Sequence, residues 1–279
     1  MIKKKSIQLN LISKRPHVKC CQKAYGPKTF ANILLAGPCN LKCNFCFGND
    51  NSQQAKLWNV LKTPCDSLIN MDKFLKCMKK LFIKSIVVTG TNTEPTLYKD
   101  LNNLVKKIWN YDLEPSMITN GFLALEKINI INNLKKVTYS LHTLQHKTSL
   151  LMLGTNEIPD WKSVFFETKI PFKVNIVICE ENKDEIFDLL EKCKIWGVKR
   201  ISLRDSLGYN TDKSYLGVPC YYYGGNPVYV IDGVEITAWN AESLETNSWN
   251  WLPNGSVYEQ KRLYDVLKGE DLDLPDLIL

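Results

Sequence analysis

Between residues 29 and 205 the chain alternates short apolar runs with longer segments whose apolar positions recur every three or four residues. The short runs predict strands at 29–36, 85–89, 116–119, 136–141, 172–179 and 200–203, and the longer segments predict helices at 71–83, 98–110, 123–134, 161–168 and 183–196. In the first helix Phe74, Leu75, Met78, Leu81 and Phe82 share one face, and Asn70 stands where a cap is needed. Six strand–helix steps imply a parallel sheet with right-handed crossovers. Six units suit a partial barrel better than a closed one of eight, although the spacing alone does not exclude a doubly wound open sheet.

After about residue 205 the rhythm changes to short aromatic-rich strands with turn signals. One hairpin is predicted from 229–231 and 234–239 across Asp232-Gly233, and another from 249–252 and 256–258 across Asn254-Gly255. A helix at 258–267 and an acidic tail at 269–279 follow. At the other end, residues 1–28 read as a lead-in with a strand at 7–12, and 50–67 as a polar loop with a helical piece around Trp58. The expected domains are therefore a lead-in (1–28), an α/β unit (29–205) and a small β-containing extension (206–279).

The 279 residues, 44% of them hydrophobic, are enough for a large core. No apolar run approaches the ~20 residues that span a bilayer. The basic start at 1–5 leads into an alternating polar segment and not into the apolar stretch of a signal peptide, so a cytoplasmic protein with no membrane partner is expected. The formal charge of +7 comes from scattered lysines. It is compatible with an anionic substrate, a nucleic acid or an acidic electron-donor protein, and selects none of them.

Ten cysteines in a chain of this kind point to metal chemistry in a reducing compartment. Three of them, Cys39, Cys43 and Cys46, fall within eight residues just after the first strand. The CxxxCxxC spacing lets three thiolates converge on one centre, and thiolates are the ligands of iron–sulfur clusters. Three ligands would leave one iron of a four-iron cubane open to a substrate or cofactor. The competing reading is a structural zinc, which usually pairs a CxxC with a second CxxC or an HxxxH; no second CxxC is present, and His142 and His146 are the one histidine pair at the latter spacing. Cys20 and Cys21 are adjacent and read as a structural pair, and Cys65, Cys77, Cys179 and Cys193 read as core residues.

At Cys39, Cys43 and Cys46, with Phe45 in the aromatic slot, the chain resembles the radical SAM superfamily. The resemblance covers roughly 29–205. It implies a partial (β/α)6 barrel, a [4Fe-4S] cluster on the three cysteines, and S-adenosylmethionine (SAM) chelated at the open iron and cleaved reductively to a 5′-deoxyadenosyl radical that abstracts hydrogen. It also implies oxygen sensitivity and a flavodoxin- or ferredoxin-type electron donor. Thr89, Gly90, Glu94 and Pro95 resemble the motif that receives the SAM amino group, with Asn92 and Thr93 standing where the family has two glycines. Asn120, Ser140, His142, Asn175 and Arg204 are similar by position to residues that hold the rest of SAM.

Cys220 follows the barrel alone. One cysteine cannot hold an auxiliary cluster of the SPASM or twitch kind, so a single cluster is expected. As a lone thiol, Cys220 is either packed or a hydrogen donor to a substrate radical. The resemblance leaves the substrate open among a peptide or protein side chain, a nucleotide and the glycine of a glycyl radical enzyme. Outside the enzyme class stands a non-catalytic iron–sulfur or zinc module.

Overall fold

The computed structural model describes residues 30–46, 48, 60–90, 93–206, 208–239 and 245–262. The lead-in at 1–28 with Cys20 and Cys21, the helical piece around Trp58 and the tail at 269–279 lie outside them. All six expected strands are present, as β1 (Phe30–Leu35), β2 (Ser85–Gly90), β3 (Glu114–Thr119), β4 (Lys136–Ser140), β5 (Phe172–Ile178) and β6 (Arg200–Asp205). They lie side by side in chain order, each pair parallel. Their carboxyl ends therefore share one rim, the place where α/β folds assemble chemistry.

Both predicted hairpins form, and they lengthen this sheet at its two edges. β7 (Tyr221–Tyr223), β8 (Asn226–Ile231) and β9 (Val234–Trp239) form an antiparallel set whose last strand runs parallel to β6. β10 (Glu245–Trp251) runs parallel to β1 and carries β11 (Val257–Arg262) antiparallel on its outer side. The result is one eleven-stranded sheet, β11-β10-β1-β2-β3-β4-β5-β6-β9-β8-β7, with eight parallel strands in the middle. It is a partial barrel whose sheet does not close.

The helix expected at 258–267 is a correction: residues up to Arg262 belong to β11, because the bare edge of β10 offers a ladder of backbone partners that a helix could not use. The remainder of that segment lies outside the described residues.

Along each strand alternate residues face opposite ways. Ile33, Val88, Tyr139, Val174, Ile176, Leu203 and Ile236 point into one continuous apolar core. The helices α1 (Met71–Lys80), α2 (Leu101–Asn110), α3 (Ile128–Ile131), α4 (His146–Leu153), α5 (Trp161–Glu167) and α6 (Ile186–Ile195) follow the strands in chain order. All except α4 add buried residues to that core, for example Leu75 and Met78 from α1 and Leu104 and Ile108 from α2. The opposite, inner face of the sheet is polar, with Asn32, Thr138, Asn175, Ser202 and Thr237 at alternating positions.

Three local expectations change. The helix expected at 123–134 is a single turn at α3, flanked by turns, because the Ile- and Asn-rich stretch 128–133 combines β-branched residues with poor helix formers. Asn70 precedes α1 in a left-handed conformation and makes no side-chain cap. Its Nδ2 instead donates to the Gly255 carbonyl in the β10–β11 turn (3.4 Å), and the fully buried Trp251 donates from Nε1 to Ile69 O (2.9 Å). Finally, α4 was not anticipated, and it holds the cysteine loop.

Candidate functional site

The cysteine loop leaves β1 at the sheet's carboxyl rim and docks on the end of α4. Lys42 N and Asn44 N donate to Leu153 O (2.8 Å) and Met152 O (2.9 Å), carbonyls that a helix leaves without an internal partner at its last turn. Gly154 ends α4 at φ +72°, and a Cβ there would stand 3.0 Å from Lys42 Cβ. Leu41, Met152, Leu153 and Cys179 form a small apolar cluster under the loop, with Cys39, Cys43, Phe45 and Phe122 packed around it. A further tie runs from Asn44 Nδ2 to Glu181 Oε1 (2.8 Å) in the loop after β5.

None of the three loop cysteines is in a disulfide, and each is partly exposed. Burial raises the Cys39 thiol pKa above its usual value, and burial together with the neighbouring Cys46 and Cys39 pushes Cys43 up to about 12. The thiols are thus close enough to feel one another's charge. A cationic centre would reverse that balance, since metal-bound thiols are deprotonated. Among the described residues no group of three His, Cys, Asp or Glu side chains is arranged to hold a metal ion. The thiols do not converge on one point as the ligands of a preformed zinc site do. A four-iron cubane presents its irons at separate corners and accepts thiolates standing further apart. Leu41 N donates to Cys39 Sγ (3.4 Å) and Asn120 Nδ2 approaches the same sulfur (3.9 Å), contacts of the kind that stabilise a ligating thiolate.

Glu94 lies beside this loop and is 3% exposed. Its Oε1 accepts from Thr96 N (3.0 Å), Thr96 Oγ1 (2.8 Å) and Thr119 Oγ1 (2.6 Å), and its Oε2 accepts only from Asn120 N (2.8 Å). The carboxylate therefore buckles the end of β2 to the end of β3. Burial pushes its pKa up, against the pull of these hydrogen bonds. Asn120 Nδ2 donates to Asn40 Oδ1 (2.7 Å), and Thr93 Oγ1 to Pro38 O (2.6 Å), so the turn after β2, the end of β3 and the cysteine loop form one bonded unit. Gly90 is sterically required there: a Cβ would stand 2.3 Å from Thr93 O. Thr91 and Asn92 lie outside the described residues.

On the far side of the rim Phe45 packs edge-on against His142, with ring centroids 4.9 Å apart. Val177 N donates to His142 Nδ1 (3.0 Å), which leaves the proton of the neutral ring on Nε2. Burial, helped by the Arg204 charge, lowers the His142 pKa from 6.5 to about 3. Because the folded-state pKa lies below the unfolded one, this ring's contribution to stability is intact above pH 6.5 and is lost as pH falls towards 3. Between pH 7 and pH 5 the loss should be about 2 kcal/mol. Urea unfolding of wild type and His142→Gln at both pH values checks this, the variant being expected to lose less stability on acidification by that amount.

The structure thus joins Cys39, Cys43, Cys46, Phe45, Gly90, Glu94, Asn120 and His142 at one rim. Thr89, Ser140, Asn175 and Arg204 occupy the inner face nearby, Ser140 level with Asn175. Cys220 is exposed and stands at the start of β7, with β8 and β9 between it and β6.

The sequence reading missed several supports. One is Thr119, which the sequence marks only as the end of the third strand. Another is Asn182, fully buried, whose Nδ2 donates to His142 O and Val177 O (2.8 Å each). An Asn placed three residues after the Cys179 that ends a strand was the available signal, since its side chain can bond its own turn.

Comparison with known proteins adds to this geometry. No family model matches the chain. Over 178 residues, 61% of its length, it is 30% identical to the probable GTP 3',8-cyclase of Saccharolobus solfataricus, of which the match covers 54%. It is 28% identical over 181 residues to the GTP 3',8-cyclase of Aquifex aeolicus, covering 62% of this chain and 55% of that protein. The chain spans about half the length of the curated relatives it matches. Among solved structures, Streptococcus suis SuiB bound to S-adenosylmethionine has a TM-score of 0.61 at 17% identity, over 88% of this chain and 67% of that one. SuiB bound to its precursor peptide SuiA gives 0.60, also at 17% identity, over 88% and 66%. At such identity the likeness is one of fold. Taken with the cysteine motif and the sequence relatives, it makes the chain similar to radical SAM enzymes in fold and motif.

Proposed function

We propose that the chain is an enzyme that holds a [4Fe-4S] cluster on Cys39, Cys43 and Cys46, binds SAM beside it, and uses the resulting radical to abstract hydrogen from a substrate on the sheet's inner face. The observation that carries this reading is the bonding of the three-thiol loop to the Glu94–Asn120 unit, which sets a ligand loop and a buried carboxylate side by side. Such a cluster, when bound and reduced, supplies the electron that cleaves SAM to methionine and a 5′-deoxyadenosyl radical.

The protein's own residues hold the cofactor in place and keep water away. Glu94 Oε2 accepts a single hydrogen bond and keeps acceptor capacity for the cofactor's ammonium. Asn120, Ser140 and Asn175 offer hydrogen bonds along the rim, and Arg204 a charge for a carboxylate. His142, held neutral, adds no competing charge. Phe45, packed on His142, walls the cysteine loop on that side. The C-terminal strands β9 and β10 widen the inner face on which the substrate sits. A peptide, a protein side chain and a nucleotide all remain within this reading, as does a flavodoxin- or ferredoxin-type donor of the electron.

Anaerobic reconstitution with iron and sulfide, followed by SAM and a low-potential reductant, is expected to give a brown protein that releases 5′-deoxyadenosine and methionine in equal amounts. A colourless protein carrying stoichiometric zinc, or a brown one that never cleaves SAM, would overturn the proposal.

A further inference from the structure

The inner face carries a charge that nothing in the fold answers. Lys173 lies on β5 two residues before Asn175, so it sits roughly 7 Å deeper below the rim. Its strand neighbours Val174 and Ile176 face the core, which leaves Lys173 on the inner side. It has no hydrogen bond or ion pair among the described residues. Arg200, which lies next to it across the β5–β6 pairing, is already matched by Glu235 (3.0 Å). Lys136 and Arg204 add positive charge nearby, and burial together with Arg204, Arg200 and Lys136 brings the Lys173 pKa down from 10.5 to about 7.

Other polar atoms on the same face are also unanswered. Asn175 Oδ1, Ser202 Oγ, Arg204 Nε and Trp239 Nε1 are buried without a partner, Asn175 and Ser202 being only 6% and 2% exposed. The Arg204 guanidinium lies over the Trp239 ring, 5.7 Å from its centre. Bare donors and a bare acceptor in one place, around unpaired cations, are costly to fold and are expected where a ligand completes them. SAM at the rim could answer Asn175 and Arg204. It would leave Ser202, level with Asn175 on the neighbouring strand, and Lys173, one layer lower, without a partner.

We infer that Lys173, with the Ser202 hydroxyl one layer above it and Trp239 of β9 on the same face, binds an anionic group of the substrate, and that the substrate is a small polar molecule bearing a phosphate or carboxylate. The anion meets the Lys173 ammonium and the Ser202 and Trp239 donors. This rests on the proposed function for the placement of SAM, and it makes Trp239, outside the six-unit barrel, part of substrate recognition.

The test is isothermal titration of inorganic pyrophosphate and of succinate into the reconstituted protein saturated with SAM, without reductant. Wild type is expected to bind at least one of the two, the tighter identifying phosphate or carboxylate as the group, and Lys173→Met to bind it at least tenfold more weakly. Lys79→Met, which alters a surface lysine paired with Asp112, should match wild type. Because Lys173→Met removes an unpaired half-buried cation, its melting temperature should equal or exceed that of wild type; Lys173→Gln serves as a second variant. Binding of neither probe by wild type, or equal binding by both Lys173 variants, would overturn the inference. SAM affinity, measured in the same samples, reports separately on the cofactor reading.

Discussion

Replacing any one of Cys39, Cys43 and Cys46 by Ala should remove iron and sulfide together, reducing both to background after reconstitution. A cubane held by three thiolates cannot keep its place on two, and the remaining pair sits in a partly exposed loop. Cys179 makes a demanding control. It is buried in the apolar cluster under the same loop, so Cys179→Ala disturbs the local packing without removing a proposed ligand. Its cost should appear as a modest loss of stability, about 1 kcal/mol for a small buried side chain, with iron near the wild-type level. Full iron in Cys46→Ala, or none in Cys179→Ala, would show that the ligands had been misassigned.

Glu94 should prove nearly as sensitive, for two separable reasons. Four donors from Thr96, Thr119 and Asn120 end on this buried carboxylate. Glu94→Ala strands them, and at about 1–3 kcal/mol for each buried group left unsatisfied the fold should lose at least about 3 kcal/mol. Glu94→Gln keeps one oxygen for the threonines but sets an amide NH2 against Asn120 N–H, and should cost about half as much. On the proposed cofactor role, Glu94→Gln also exchanges a charge-assisted contact for a neutral one, worth about 1.5–3 kcal/mol. SAM affinity should then fall by tenfold or more while iron content stays constant. Chemical denaturation measures the first effect and SAM titration the second. A Gln variant that is destabilised yet binds SAM normally would leave Glu94 as a buckle between β2 and β3 and move the ammonium contact elsewhere.

The six barrel strands were legible because each carries its own apolar alternation, and the two C-terminal hairpins because Asp232-Gly233 and Asn254-Gly255 are local turn signals. Where those hairpins attach was not legible. β9 finds β6 and β10 finds β1, and nothing in a hairpin's own residues states which distant edge it will extend. α4 escaped notice because Leu150, Leu151, Met152 and Leu153 run consecutively instead of forming a stripe; the first two are exposed, and the last two lie under the cysteine loop. Asn70 misled because a good capping residue was claimed by a turn 185 residues away. At the site, the three cysteines are legible from their spacing, and Glu94 only through the resemblance of its turn to the motif that receives the SAM amino group. Lys173 is not among the residues singled out from the sequence, although in Phe-Lys-Val-Asn-Ile-Val-Ile the Lys and Asn fall on the face opposite the core.

The strand order also fixes how strongly the sheet bends. β10 and β9 bound the eight parallel strands, seven spacings apart, which in a flat sheet would be roughly 34 Å at about 4.8 Å per spacing. Yet Trp239 ends β9 and Glu245 begins β10, six residue steps that reach at most about 22 Å when fully extended. A flat sheet is therefore impossible for this chain: the covalent link works as a drawstring, and the polar inner face has to be the inside of a curved wall. Loosening the cord by inserting residues there would let the wall relax while leaving every strand's own sequence untouched.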